Sequence, residues 1–100
     1  NLKGKWQVYR RKAKPGSIKS GTSIIKSIEV NSVSADGIAF GEIEFYIGNI
    51  SKILPCRMAT SDGIIKIITD KDTWSFSTYK ADGKEFIFGD TNKLVYYAKH

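Results

Sequence analysis

Turn-forming residues recur along this chain at short, even intervals, and the segments between them alternate apolar and polar side chains. The punctuation reads Lys14-Pro15-Gly16-Ser17, Ala35-Asp36-Gly37, Gly48-Asn49, Ser61-Asp62-Gly63, Asp70-Lys71-Asp72, Ala81-Asp82-Gly83 and Asp90-Thr91-Asn92. Gly, Pro, Asn and Asp supply the backbone geometries that tight turns need, and Asp-Gly suits hairpins in particular. These turns leave eight segments, near 5–12, 22–31, 38–47, 50–60, 64–69, 73–80, 85–89 and 93–99. Within them Trp6 and Val8 oppose Lys5, Gln7 and Tyr9; Ile43, Phe45 and Ile47 oppose Glu42, Glu44 and Tyr46; Trp74 and Phe76 oppose Thr73, Ser75 and Ser77. Period-two alternation belongs to a sheet with one buried face. Short connections joining eight strands in order predict an all-β fold, an eight-stranded antiparallel up-and-down β-barrel that closes to remove its edges.

Two strands carry irregularities. Gly41, between Phe40 and Ile43, predicts a bulge or sharp bend. Pro55 lies inside the fourth strand and requires a bulge or a locally unpaired edge, because it has no N–H for a ladder. Residues 13–22 are polar, basic and rich in Gly and Ser, which predicts a flexible loop at one barrel mouth.

A chain of 100 residues suits one domain, spanning 1–100, with a thin core. No run approaches the roughly 18 apolar residues of a membrane-spanning helix. Asn1 stands where an initiator Met would, so the expectation is an export segment already removed and an extracytoplasmic location: periplasmic, surface-anchored or secreted. Cys56 is the only cysteine, which leaves no intramolecular disulfide. The net charge of +6 is unevenly spread. Residues 1–28 hold eight bases and no acid, whereas residues 29–100 hold eight bases against ten acids. The basic quarter includes the run Arg10-Arg11-Lys12-Ala13-Lys14 and predicts an electropositive face or loop.

Catalytic chemistry finds little to stand on. His100 is the only histidine and sits last, so neither Cys56 nor any serine has a credible imidazole partner. Cys56 alternates with Leu54 and Met58 and reads as a buried packing residue. Glu42 and Glu44 share the face opposite Ile43 and Phe45, a solvated face rather than an acid–base pair. Asp70 and Asp72 flank a turn lysine without the Gly and distal Glu of a calcium loop. No cofactor, metal or catalytic residue is expected. An oligonucleotide-binding barrel would set exposed aromatics beside its basic stripe, but here Trp6, Phe45, Trp74, Phe76, Phe86 and Phe88 fall at buried parity, so nucleic acid ranks last among partners.

The opening Leu2-Lys3-Gly4-Lys5-Trp6-Gln7-Val8-Tyr9 resembles the Gly-x-Trp start of lipocalins and the wider calycin barrels, above all the compact bacterial lipocalin-like domains. In those barrels the glycine lets the chain enter the base and the Trp plugs the closed end. Lipocalins stack an arginine from the last strand on that Trp; no Arg follows Arg57 here, and Lys99 is the expected stand-in. The resemblance implies a monomeric, non-enzymatic binding protein and two kinds of partner. A small apolar ligand would enter the barrel and touch Phe40, Phe45, Met58, Phe76, Phe86 and Tyr96. Alternatively, compact calycin barrels such as the bacterial inhibitors of serralysin-type metallopeptidases put an N-terminal segment into an enzyme's cleft. Contact with a peptidase would then fall to Asn1, Leu2 and Lys3, supported by Arg10, Arg11, Lys12 and Lys14. A filled barrel suits the second role and a hollow one the first.

Overall fold

The alternating segments form nine strands among the described residues, 2–19 and 21–100 of the computed structural model. They are β1 (Gly4–Ala13), β2 (Ser23–Val33), β3 (Ala39–Ile47), β4 (Ile50–Ser61), β5 (Ile64–Ile68), β6 (Thr73–Phe76), β7 (Thr78–Ala81), β8 (Glu85–Gly89) and β9 (Leu94–Lys99). All belong to one antiparallel sheet in the order β6-β5-β4-β3-β2-β1-β9-β8-β7. Because β1 pairs with β9, the meander rolls into a nearly closed barrel. Its two edges, β6 and β7, are consecutive in the chain and separated only by Ser77.

That interruption corrects the expected count of eight. The segment predicted at 73–80 is a single stretch of extended chain, but its first half pairs with β5 and its second with β8. At the break the Ser77 N–H and Oγ both donate to Oδ1 of Asp90, at 3.1 and 2.9 Å. A side-chain carboxylate thus takes the backbone donor a ladder would use. The break also shifts the alternation: Phe76 is buried and the next hydrophobic side chain packed on the core is Tyr79, three positions on.

The barrel interior is filled by its own side chains. Trp6, Ile43, Phe45, Ile65, Ile67, Phe86 and Phe88 are fully buried. Ring contacts run from Trp6 to Phe86 (centroids 5.8 Å apart), then to Phe88 (4.7 Å), Tyr96 (5.1 Å) and Phe76 (6.2 Å). Such edge and offset contacts add to the apolar burial that dominates the core.

Gly4 and Trp6 hold the places their motif implies. Gly4 has φ +114°, and the position a Cβ would occupy lies 2.8 Å from Cε1 of His100. Trp6 is sealed at the barrel base, its Nε1 donating to the Leu2 carbonyl at 2.8 Å. The residue stacked on it is His100, with ring centroids 3.8 Å apart, and not Lys99. Strand parity explains the correction: Tyr96 and Ala98 face inward and His100 follows them, whereas Lys99 pairs with Gln7 on the outer face and lies over the Tyr9 ring, 4.7 Å from its centre.

The two irregular positions resolve differently. The bulge expected at Gly41 is not in β3, which keeps continuous register with β4; the extra residue is Asn31 of β2, between the pairs Val30–Gly41 and Ser32–Phe40. The two backbones come so close that a Cβ on Gly41 would sit 1.7 Å from the Glu29 carbonyl oxygen. Pro55 lies at an unpaired edge as expected. The two-residue turn at Gly48-Asn49 makes Ile47–Ile50 a bonded pair, so by alternation Glu42–Pro55 is a non-bonded one. The missing N–H therefore faces the other side of β4, where β5 reaches no further than Arg57.

Candidate functional site

The residues expected to line a ligand cavity separate into three groups. Phe45, Met58 and Phe86 are buried core, with no more than 3% of their surface exposed. Phe40 is 43% exposed, a correction to its expected inward position: Ala39, Ile43 and Phe45 take the inner face of β3, and Phe40 lies on the outer wall beside Pro55, Arg57 and Ile68. β3 runs through Gly41 without a break in register, so Phe40 alternates with the buried Ala39 and falls outside. Phe76 and Tyr96 border a depression of about 280 Å³ at the open mouth, together with Trp74, Leu94, Ser17 and Thr22. Tyr96 is fixed there by structural work. Its hydroxyl accepts the Ile25 N–H at 3.2 Å, closing a backbone position that β1 leaves unpaired. Burial raises its pKa above the ordinary phenol value, partly offset by the Ile25 bond and the Arg11 charge.

That unpaired position belongs to the most distinctive feature of the wall. β1 and β2 pair only from Gly4–Val30 to Gln7–Ser27, and then part. Two bulges adjoin the parting: Tyr9 is the extra residue in β1 against β9, and Lys26 the extra residue in β2 against β3. Each bulge bends and twists its strand, and together they open a cleft of about 370 Å³ lined by Val8, Tyr9, Arg10, Arg11, Ile25, Lys26 and Tyr46. The β1 bulge also changes which residues face inward. Beyond it Arg11 pairs with the buried Tyr96, so it shares the inner face at the mouth, while Arg10 and Lys12 share the outer face.

The cleft is electropositive. None of its lining residues carries a carboxylate, and three carry a positive charge. The Arg10 guanidinium lies over the Tyr97 ring at 5.1 Å, and Lys26 over Tyr46 at 5.6 Å. Lys26 also meets Glu44 at 3.4 Å, an exposed pair of small energetic weight. A hydrogen bond to the Tyr46 hydroxyl, together with Glu44, holds the Lys26 pKa above its usual value, so the charge persists at neutral pH. Tyr9 donates to the Glu85 carboxylate, and that bond raises its own pKa. Arg11 has no carboxylate partner among the described residues. Lys12 and Lys14 continue the basic edge beside a second surface hollow with Thr91, Lys93, Val95 and Tyr97.

Of the N-terminal contact residues, Asn1 lies outside the described residues. Leu2 packs on the core and gives its carbonyl to Trp6, and Lys3 is exposed. Of the other sequence candidates, Glu44 borders the cleft through Lys26. Glu44 accepts from Ser51 and Ser27 at 3.2 and 3.4 Å on the outer wall; burial raises its pKa, but these bonds and Lys26 outweigh that and hold it low. Among the described residues no three His, Cys, Asp or Glu side chains gather as a metal site, and no helix is long and apolar enough to cross a membrane.

No family pattern, curated protein or solved structure matches this chain.

Cys56 is 8% exposed, and burial, with the Glu42 carboxylate adding to it, pushes its thiol up to about 11. The thiolate is the reactive form, so labelling of the native protein should stay slow at pH 8 and accelerate only as pH approaches 11. The folded state holds the proton more tightly than the unfolded one, so this group's contribution to stability is full below pH 9.0 and falls as pH rises towards 11. Rapid native labelling at pH 8 by an aromatic disulfide reagent would refute the packing role. Cys56→Ala should change stability by less than about 2 kcal/mol.

Proposed function

We propose that this chain is a non-enzymatic, lipocalin-like barrel of the calycin type that binds a protein partner on its wall, with the cationic β1–β2 cleft as the contact. The filled interior carries this reading. Side chains from Trp6 to Phe76 touch one another along the barrel, so the space a lipocalin would give a ligand is core here. A packed barrel is a rigid support, and a rigid surface loses little ordering entropy on binding. The cleft supplies what the interior does not: exposed cations, two tyrosines and an apolar floor of Val8 and Ile25. Arg and Tyr are the residues that anchor protein contacts. Because Leu2 is tied to the barrel base, the cleft suits this role better than the N-terminal segment.

A second reading, a small apolar ligand, draws its support from the mouth depression beside Phe76 and Tyr96. At about 280 Å³ it is slightly under the ~300–1,000 Å³ usual for ligand pockets.

One experiment separates the two. Immobilised polyglutamate serves as the anionic probe, and a fluorescent fatty acid as the apolar one. Replacing Arg10, Arg11, Lys12 and Lys14 with Ser should slow association with polyglutamate and leave the thermal midpoint nearly unchanged. Raising salt until screening shortens to about 8 Å should slow the wild type more than the variant. Equal salt dependence in the two proteins would make the cluster a solubilising surface and overturn the proposal. Saturable fatty-acid binding that competes with a Phe76→Ala change, with no effect of the basic cluster, would instead establish the mouth as the site.

A further inference from the structure

We infer that the β1 side of the cleft is an open strand edge that pairs with an extended acidic segment of the partner, adding a strand to the wall. This rests on the reading of the cleft as the contact site and specifies its occupant.

The backbone pattern shows which groups are free. Lys14 N–H donates to the Lys93 carbonyl at 2.8 Å, so Lys14 is bonded towards β9. Strand alternation gives Arg10 and Lys12 the same direction, opposite Tyr97 and Val95. The N–H and C=O groups of Arg11 and Ala13 therefore face away from β9, on the β2 side, where the β1–β2 pairing has already ended at Gln7–Ser27. On the opposite lip the Ile25 N–H is already held by Tyr96. The Tyr96 hydroxyl thus occupies a donor that a strand added to β2 would need, which leaves β1 as the edge to pair with.

The side chains then choose the occupant. An added strand places its residues directly opposite those of β1, alternating between faces. Two of its side chains, two residues apart, would meet Arg10 and Lys12 on the outer face. The one between them would share the inner face with Arg11, beside Ile25 and Val8. Acidic residues at the first and third positions match this charge pattern. The same cations repel a second copy of β1, which would bring Arg10, Arg11, Lys12 and Lys14 against themselves. Charge on an open edge is a familiar guard against self-pairing. Here it excludes a like strand and admits an acidic one.

The probe is a capped peptide of alternating Glu and Val, followed by fluorescence anisotropy and by amide hydrogen exchange. The expected result is saturable binding that slows exchange at Arg11 and Ala13 and weakens about tenfold when alternate peptide amides are N-methylated, in one of the two possible phases only. Arg10→Ser with Lys12→Ser should weaken it further, and swapping Glu for Lys should abolish it. Binding that depends on the basic residues but ignores N-methylation in both phases would overturn strand addition while leaving the basic cleft as the contact. Binding indifferent to the basic residues, or no saturable binding, would overturn both.

Discussion

Trp6→Ala should cost about 3–5 kcal/mol, the range for removing a fully buried Trp and a large share of the stability a small domain has. Three losses act together. The ring leaves Phe86 without its edge contact at 5.8 Å, His100 without the stack at 3.8 Å, and the Leu2 carbonyl without its indole donor. The N-terminal segment and the end of β9 both pack on this side chain, so the pairing that closes the barrel is weakened at its base. Guanidinium titration of wild type, Trp6→Phe and Trp6→Ala measures the effect. Trp6→Phe keeps most of the packing and should fall between the other two, which preserves the test if the alanine variant fails to fold. A Trp6→Phe midpoint equal to wild type, with Trp6→Ala shifted by less than about 0.5 kcal/mol, would reduce the plug to an ordinary surface residue.

Gly41→Ala should be nearly as damaging, for the opposite reason. It adds one methyl, but at 1.7 Å from the Glu29 carbonyl oxygen and 3.0 Å from the Val30 Cα. Neither contact is a flexible side chain that can swing away, so β2 must move, and with it the bulge at Asn31 and the pairs on both sides. Overpacking of this kind costs about 1–3 kcal/mol and more where backbone is the obstacle. The variant should unfold at clearly lower denaturant with an unchanged slope, because the surface exposed on unfolding is the same. Gly37→Ala is the matched control: nothing lies within 4 Å of its added Cβ, and only the turn geometry at φ +86° resists it. If Gly41→Ala proved the milder of the two, the close approach would not be what selects glycine there.

The fold was legible in the sequence because turns and alternation are local signals, and an all-β barrel requires little else. What escaped notice is where alternation changes phase. Ile25 and Ile28 are both buried at a spacing of three, which marks the extra residue Lys26, and Phe76 to Tyr79 marks Ser77 in the same way. These could have been read. The β1 bulge could not: after Val8 the strand runs Tyr9-Arg10-Arg11-Lys12, and without an apolar residue to report the phase, nothing shows that Arg11 turns inward. The cleft's cations, Arg10, Arg11 and Lys26, all lie in the basic first quarter of the chain. The cleft itself depends on two bulges 17 residues apart in sequence, Tyr9 and Lys26, and only pairing brings them together.

Ser77 gives the barrel a further mechanical character. Both lips of the remaining gap in the wall, β6 and β7, are carried by one continuous stretch of backbone. They cannot slide past each other, since any shift of one would have to pass through the other. The residue between them is gripped by the Asp90 carboxylate through its N–H and hydroxyl. The seam is thus a corner pinned at one point, and the continuity of the chain through it fixes how the two ends of the wall stand in register.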